Sequence, residues 1–364
     1  MTGYDVAIVG AGMAGASLAA AIGTRARVLL IEAEDAPGYH ATGRSAAFWS
    51  ETYGGPDVQP LTTASGPFLQ AGGFLDPLGA LHIGRTKDAA AGGAFLADFA
   101  GSGIALDRVD PARRIPGLRP EWTLGIAEPS STYIDVAALH AQYLAVARRA
   151  GAALVTSAPL HMASREGGAW VLQAGGVTYR AAILVNAAGA WADAVACLAG
   201  AAPIGVQPYR RTMIQLLTDP PAPADLPLVV DIAGGFYFKP TADGRVWLSP
   251  HDETACAPCD AQPEDLDVAL AIDRLEQVVD WRVTKVERRW AGLRSFAPDR
   301  LPVYGFDARM PGFFWCAGQG GFGIQTAPAA AALTAGLLLG CAPDPSVAAI
   351  DPARYAPDRL VALA

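Results

Sequence analysis

The feature that most constrains this chain lies at its start. An apolar run from Asp5 to Val9 ends in Gly10-Ala11-Gly12-Met13-Ala14-Gly15 and opens into an alanine-rich segment, Ala16 to Ala21. A second apolar run, Arg27 to Ile31, closes on Glu32. Strand, tight turn, helix and a second strand ending in an acid make a βαβ dinucleotide unit. Gly10 permits the turn, Gly12 lets the backbone approach a pyrophosphate, and Gly15 lets the helix pack closely on the strands. The helix start offers free N–H groups and a positive dipole end to phosphates. Glu32 stands where a carboxylate accepts ribose hydroxyls, which argues against a 2′-phosphorylated nucleotide. In a chain with 40 glycines the bare spacing carries little; the ordered context carries the argument.

A length of 364 residues exceeds what one core usually organises, so two domains are expected. With 52% hydrophobic and 17% charged residues the chain can bury large cores and is not disordered. A net charge of −8 speaks against a general nucleic-acid surface. The first strand begins at about Asp5 and leaves no room for a secretory signal, so a cytoplasmic, soluble protein is expected. Thr326 to Ala342 is apolar but interrupted by Pro328, and reads as a buried helix rather than a membrane span. Five cysteines form no even disulfide framework. Cys256-Ala257-Pro258-Cys259, with His251 nearby, has the spacing of half a metal site or a redox pair; it lacks a second CxxC and lies in a polar run, so no metal is expected.

Further along, Phe48 to Gly55 suggests a helix start running into a loop, and residues 56–130 read as a Pro- and Gly-rich insertion with short strands. Asp135 caps a helix beginning at Val136. The run Arg180 to Asn186 ends in Ala187-Ala188-Gly189, a second small-residue strand-to-helix turn. Long β-rich runs follow from Gln207 to Thr218, with a helix predicted within Pro263 to Val279. Phe313 to Ala317 then ends at Gly318-Gln319-Gly320-Gly321-Phe322-Gly323 before an alanine-rich helix. The nucleotide pattern is visited three times and interrupted twice. The expected fold is therefore α/β: a Rossmann-like domain from residues 1–70, 135–203 and 303–364, interleaved with an α+β substrate domain from 71–134 and 204–302 built on an antiparallel-rich sheet. Ligand sites favour the cleft between such domains.

Four stretches carry a family resemblance: Gly38 to Ala47, Leu184 to Trp191, Trp290 to Phe296 and Ala317 to Thr326. The chain resembles the FAD-dependent D-amino acid oxidase/dehydrogenase family, and most of all its bacterial D-arginine/D-amino acid dehydrogenases. The resemblance implies FAD, held by Gly10, Gly12, Met13, Ala14, Gly15, Glu32, Arg44, Ser45, Ala46, Ala188, Gly189, Gly320, Gly321, Phe322 and Gly323. Relatives with covalent flavin use a cysteine near the arginine motif, which here reads Leu293-Arg294-Ser295-Phe296, so non-covalent binding is implied.

An amino acid is naturally held by its carboxylate, and a guanidinium is the natural partner. Arg294 lies in an apolar, small-residue run, and Arg210 and Arg211 lie in a β-run where alternation sends them to opposite faces. For each, a surface ion pair is the competing fate. The resemblance implies that Arg294 and Arg211 bind the substrate carboxylate. Tyr53 and Tyr237 are either core tyrosines or cleft phenols that bind or cover the substrate, and Gly321 joins them as a residue at the reacting end. The implied reaction is oxidative deamination: a neutral amine drives hydride transfer from Cα, giving an imino acid that hydrolyses to a 2-oxo acid and ammonia. The rate should rise with pH as the amine loses its proton. Arginine-preferring relatives place a histidine at Phe48 and an acid in the strand that here reads Gly79-Ala80-Leu81-His82. With Phe48 and Leu81 facing the substrate, D-arginine should be poor and apolar or cyclic side chains favoured. N-substituted amino acids, 2-hydroxy acids, or a non-catalytic flavin-binding subunit are the rival readings. The electron acceptor is expected to be a quinone, a carrier protein or O₂, with no nucleic-acid partner.

Overall fold

The computed structural model describes residues 3–363 apart from residue 242. Residues 1, 2, 242 and 364, which fall inside the expected domain segments, lie outside the described residues.

Two large sheets form the frame. In the first, Ala153–Val155, Val28–Ile31, Gly3–Val9, Val177–Asn186 and Phe313–Ala317 lie side by side and all parallel. Three sequence-distant apolar runs thus become neighbours because each is hydrophobic on both faces and can be covered on both sides. The helices Met13–Ile22 and Ala327–Leu339 cover one face; Ala192–Leu198 packs on the other. Leu160–Glu166 and Ala169–Ala174 extend the sheet as an antiparallel hairpin. The carboxyl ends of the parallel strands put Gly10, Glu32, Ala187 and Gly318 along one edge. In sheets of this kind ligands bind at that edge.

The second sheet has ten strands and is antiparallel but for the pairing of Ala80–Gly84 with Leu228–Asp231. Its centre is the long pair Gln207–Asp219 and Arg282–Phe296. Helix Asp265–Glu276 and an apolar core around Ile214, Leu216, Phe238 and Leu248 cover one face. The other face turns toward the first sheet. The two sheets are joined directly: Gln319–Gly320, just beyond the parallel strand Phe313–Ala317, pairs with Ser295 and Phe296.

The stretch from Phe48 departs from expectation. Phe48–Trp49 is a short strand paired with Tyr133 and Thr132, and helices occupy Gln59–Ala71 and Ala89–Asp98 inside the region read as an irregular insertion. Pro67 lies within the first of these helices and glycines within the second, so neither shows a clean helical signature. Asp135 caps Val136–Arg149 through the Ala138 N–H at 2.9 Å. No helix among the described residues is long and apolar enough to cross a membrane.

Candidate active site

A cavity of about 430 Å³ runs along the carboxyl edge of the parallel sheet, from Glu32, Glu34 and Leu160 past Gly12 to Arg294 and Gly321. The glycine turn is built for close approach. A Cβ on Gly10 would stand 2.4 Å from the Ala187 carbonyl oxygen, and one on Gly15 1.9 Å from that of Gly10. The helix beginning at Met13 has no cap from its own N-cap residue, Gly12, and no acid in its first turn, so its positive dipole end is not met by a charge of its own. Glu32 is fixed by N–H donation from Ala11 at 2.8 Å and Glu34 at 3.1 Å. Thr42 accepts from the Met13 N–H at 3.0 Å, and His140 bonds the Ala11 carbonyl at 2.8 Å. Burial lowers the His140 pKa, against the pull of that carbonyl.

Of the residues named for the cofactor, Gly10, Gly12, Met13, Ala14, Glu32, Ser45, Ala188, Gly189, Gly320, Gly321 and Gly323 line this cavity. Gly15 lies behind the turn. Arg44 faces elsewhere: its guanidinium pairs with Asp260 and donates to the carbonyls of Ala261 and Ala291, tying its segment to the second sheet. Ala46 packs beside Met213 and Tyr237, and Phe322 lies against Val58 and Phe296. Tyr39, His40, Thr42, Trp191 and the Ala158–Leu160 wall also line the cavity and were missed. Thr42 and His40 sit inside the Gly38–Ala47 stretch, which was the signal available for them.

Strand register builds the reacting end. Tyr209 lies opposite Arg294 and Arg211 opposite Gly292, so Arg211 and Arg294 share the face turned toward the first sheet. Arg210, on the other face, pairs with Glu264 and Asp267 of the covering helix. The two inward arginines differ sharply. Arg211 is 2% exposed, pairs with Glu253 at 2.9 Å and donates from Nε to the Asp252 carbonyl at 2.7 Å, leaving its buried NH1 unpartnered. Arg294 is 7% exposed, its buried Nε has no acceptor, and none of the ion pairs among the described residues includes it. Gly292 lies beside it, the guanidinium standing 3.4 Å from where a Cβ on that glycine would be. An unpaired buried cation lining a cavity calls for an anion.

Aromatic rings gather beside the same end, next to Gly321 and outside the cavity's own lining. Phe48 lies 5.3 Å from Tyr53 and 5.7 Å from Tyr237, centroid to centroid. The Tyr53 hydroxyl stands directly on Gly321, where a Cβ would fall 2.2 Å from it. Burial raises the Tyr237 pKa despite the opposing pull of Arg211 and Arg294, so this phenol is a neutral group. His251, read from sequence only as a possible ligand, stacks edge-on to Tyr237 at 5.7 Å. Burial and then Arg211 push its pKa down to about 4, so the ring is neutral at pH 7. Its Nδ1 bonds the Gly234 carbonyl at 2.7 Å, which leaves Nε2 as an acceptor. Behind the Arg44–Phe48 segment, Lys239 donates to the Ala47 carbonyl at 3.0 Å from a cage of Tyr133 and Trp247. Ala47 has φ of 54°, a strained value for alanine that this bond helps hold. Burial pushes the Lys239 pKa down to about 7.

One expectation about the wall is corrected. Leu81 faces the apolar core on the far side of the second sheet, with Ile83 and Phe238. Its neighbour Ala80 is the residue that packs with Tyr237 and Phe48, because alternation along the strand gives one face to each. Cys256 and Cys259 are free thiols in the loop after Thr254–Ala255, and no cluster of three or more potential metal ligands occurs among the described residues.

A Rossmann-like sheet whose strand ends carry a long dinucleotide cavity, closed by a second sheet bearing an unpaired arginine, defines a two-sheet flavoprotein oxidoreductase. The chain belongs to the DAO family of FAD-dependent oxidoreductases, whose model matches residues 5–337. FAD is therefore its cofactor, and the glycine turn, the acid-free first turn of the helix and Glu32 fit it. A glycine oxidase of Pseudomonas aeruginosa is 31% identical over 175 residues, 47% of this chain and 44% of that protein, so the matched region spans less than half of this curated relative. The solved structure of glycine oxidase from Geobacillus kaustophilus superposes with a TM-score of 0.82 at 22% identity, covering 94% of this chain and 97% of that one. L-proline dehydrogenase from P. horikoshii gives 0.85 at 18% identity over 98% of both chains. At these identities the superpositions show the fold.

Proposed function

We propose that the protein oxidises amino acids at Cα, with D-amino acids of apolar or cyclic side chain as its preferred substrates. The observation that carries this reading is Arg294, a buried guanidinium without a counterion at the end of the cofactor cavity. A substrate carboxylate supplies the missing anion through charge-assisted hydrogen bonds. Beside that end, outside the cavity's own lining, lie the unpartnered Nη1 of Arg211 and the Tyr53 hydroxyl, which in this reading add two further donors. Two fixed points on the carboxylate orient Cα, and Phe48, Tyr53 and Tyr237 exclude water from it. When bound, FAD supplies the hydride acceptor. Glu253, the carboxylate beside Arg211, is engaged by Arg211 and Arg300, and His251 is neutral, so in this reading the substrate amine arrives unprotonated. Phe48 and Ala80 present no acceptor to a guanidinium, which disfavours D-arginine. The similarity to the Pseudomonas aeruginosa glycine oxidase supports amino acids as the substrate class.

A second reading, N-substituted amino acids, is favoured by the aromatic cluster, which suits a secondary amine as well as a primary one. The test is anaerobic reduction of the bound flavin by a panel of D- and L-amino acids, sarcosine, proline and 2-hydroxy acids. D-leucine or D-phenylalanine should bleach the flavin faster than D-arginine, with rates rising with pH. Faster bleaching by D-arginine, by 2-hydroxy acids, or by none of them would refute the proposal. Peroxide release in air separates O₂ from a quinone or carrier protein as acceptor.

A further inference from the structure

Glu128 ends the strand Leu124–Glu128 and is fully buried, 0% exposed. A carboxylate so placed is costly unless every lone pair is used. Apart from His82 on the neighbouring strand, its partners come from one short turn. Oε1 accepts from the Ser50 hydroxyl at 3.0 Å, the Glu51 N–H at 2.9 Å and the Thr52 N–H at 3.4 Å. Oε2 accepts from the Thr52 hydroxyl at 2.7 Å and bonds His82 Nε2 at 3.0 Å. The turn Ser50 to Thr52 leads straight into Tyr53. From the other side, Gln325 donates to the Tyr53 carbonyl at 2.9 Å and to the Thr62 hydroxyl at 3.0 Å. Gln325 follows the Gly318–Gly323 turn closely, so the backbone of Tyr53 is fixed at once to the second sheet and to the cofactor side.

We infer that Glu128 is a positioning residue for substrate binding: by gathering the donors of the Ser50–Thr52 turn it sets the Tyr53 phenol over Gly321, beside Arg294. The role rests on reading that end as a carboxylate site. A loop that merely needed closing could use a neutral side chain, whereas here a charged one reaches two backbone N–H groups, two hydroxyls and a histidine. Charge-assisted bonds of this kind hold geometry more stiffly than neutral ones. The burial that would raise the Glu128 pKa is outweighed by His82, Thr52 and Ser50, which keep it low and the group ionised.

The test uses the FAD-loaded protein and benzoate, a carboxylate with no oxidisable Cα–H, whose binding is read from the flavin absorption spectrum. Glu128→Ala should weaken benzoate by at least about tenfold while flavin content stays that of the wild type. Glu128→Gln keeps an acceptor for the Glu51 N–H and a donor for Thr52 but loses the charge, and should bind benzoate more tightly than Glu128→Ala and more weakly than the wild type. In a Tyr53→Phe background the Glu128→Ala effect should shrink to about twofold or less, because the phenol it positions is gone. An undiminished effect in that background, or flavin loss in parallel with binding, would overturn the role. Should Glu128→Ala fail to fold, the Ser50→Ala/Thr52→Val double variant carries the same expectation and the same refutation. Absence of benzoate binding by the wild type would instead refute the carboxylate site, and with it this role.

Discussion

Replacing Arg294 with methionine separates function from stability. The side chain is 7% exposed, has an unpartnered Nε and joins no ion pair among the described residues, so in the ligand-free protein it is a buried charge without compensation. Even a buried ion pair exchanged for apolar side chains of similar volume is often neutral or stabilising, by about 1–4 kcal/mol, and an unpaired charge has no Coulombic partner to lose. The substrate carboxylate, by contrast, loses its principal partner. Loss of a buried charge-assisted pair costs about 3–4 kcal/mol, or roughly 10²–10³-fold in kcat/KM. Arg294→Met should therefore hold or raise the melting temperature of the FAD-loaded protein while turnover collapses and flavin content is unchanged. Arg211→Met makes the contrast. It strips Glu253 of one of its two arginines and the Asp252 carbonyl of its donor, so it should lower the melting temperature as well as the activity. Thermal melts followed by flavin fluorescence, with steady-state kinetics on the best substrate of the panel, measure both. Arg294→Met with kcat/KM within about tenfold of wild type, or with melting depressed as far as in Arg211→Met, would refute the argument.

Two further outcomes follow from other residues. Gly321→Ala places a methyl where the Tyr53 hydroxyl stands, 2.2 Å away, and should raise KM by about tenfold or more with flavin retained; an unchanged KM would show that Tyr53 does not touch the substrate. Lys239 has its pKa pushed down to about 7 from 10.5, so between those values the unfolded chain holds a proton that the folded chain has released. Unfolding then takes up a proton, and stability rises with pH across that window by up to about 1.4 kcal/mol per unit from this group, being lost as pH falls to 7. Lys239→Met should flatten that rise in denaturant titrations at pH 7 and 10, and an unaltered slope would refute it.

Much of the frame was legible in the chain itself. The glycine turn, the acid at Glu32 and the returns at Ala187 and Gly318 depend on local chemistry, which sequence displays directly. Alternation along Tyr209-Arg210-Arg211 was equally local, and the structure gives Arg210 to the covering helix and Arg211 to the inner face. The same rule misassigned Leu81 because a period of two fixes that neighbours face apart, yet does not say which of them faces the cleft.

Charge compensation, in contrast, was decided by tertiary structure. Arg44, Arg211 and Arg294 are chemically alike in sequence, but Asp260 takes the first and Glu253 the second, and the third has no carboxylate within reach. Those carboxylates lie 216 and 42 residues away along the chain; strand pairing within the second sheet brings Glu253 to Arg211, and the loop beyond that strand carries Asp260 to Arg44. Glu128 is the clearest case: nothing local distinguishes it from a solvent-facing acid at a strand end, and its partners Ser50 and Thr52 are 78 and 76 residues distant. Sequence determined where a dinucleotide could lie, because backbone turns are written in neighbouring residues. Folding determined which arginine would be left waiting for a substrate, because an ion pair is a property of distance in space.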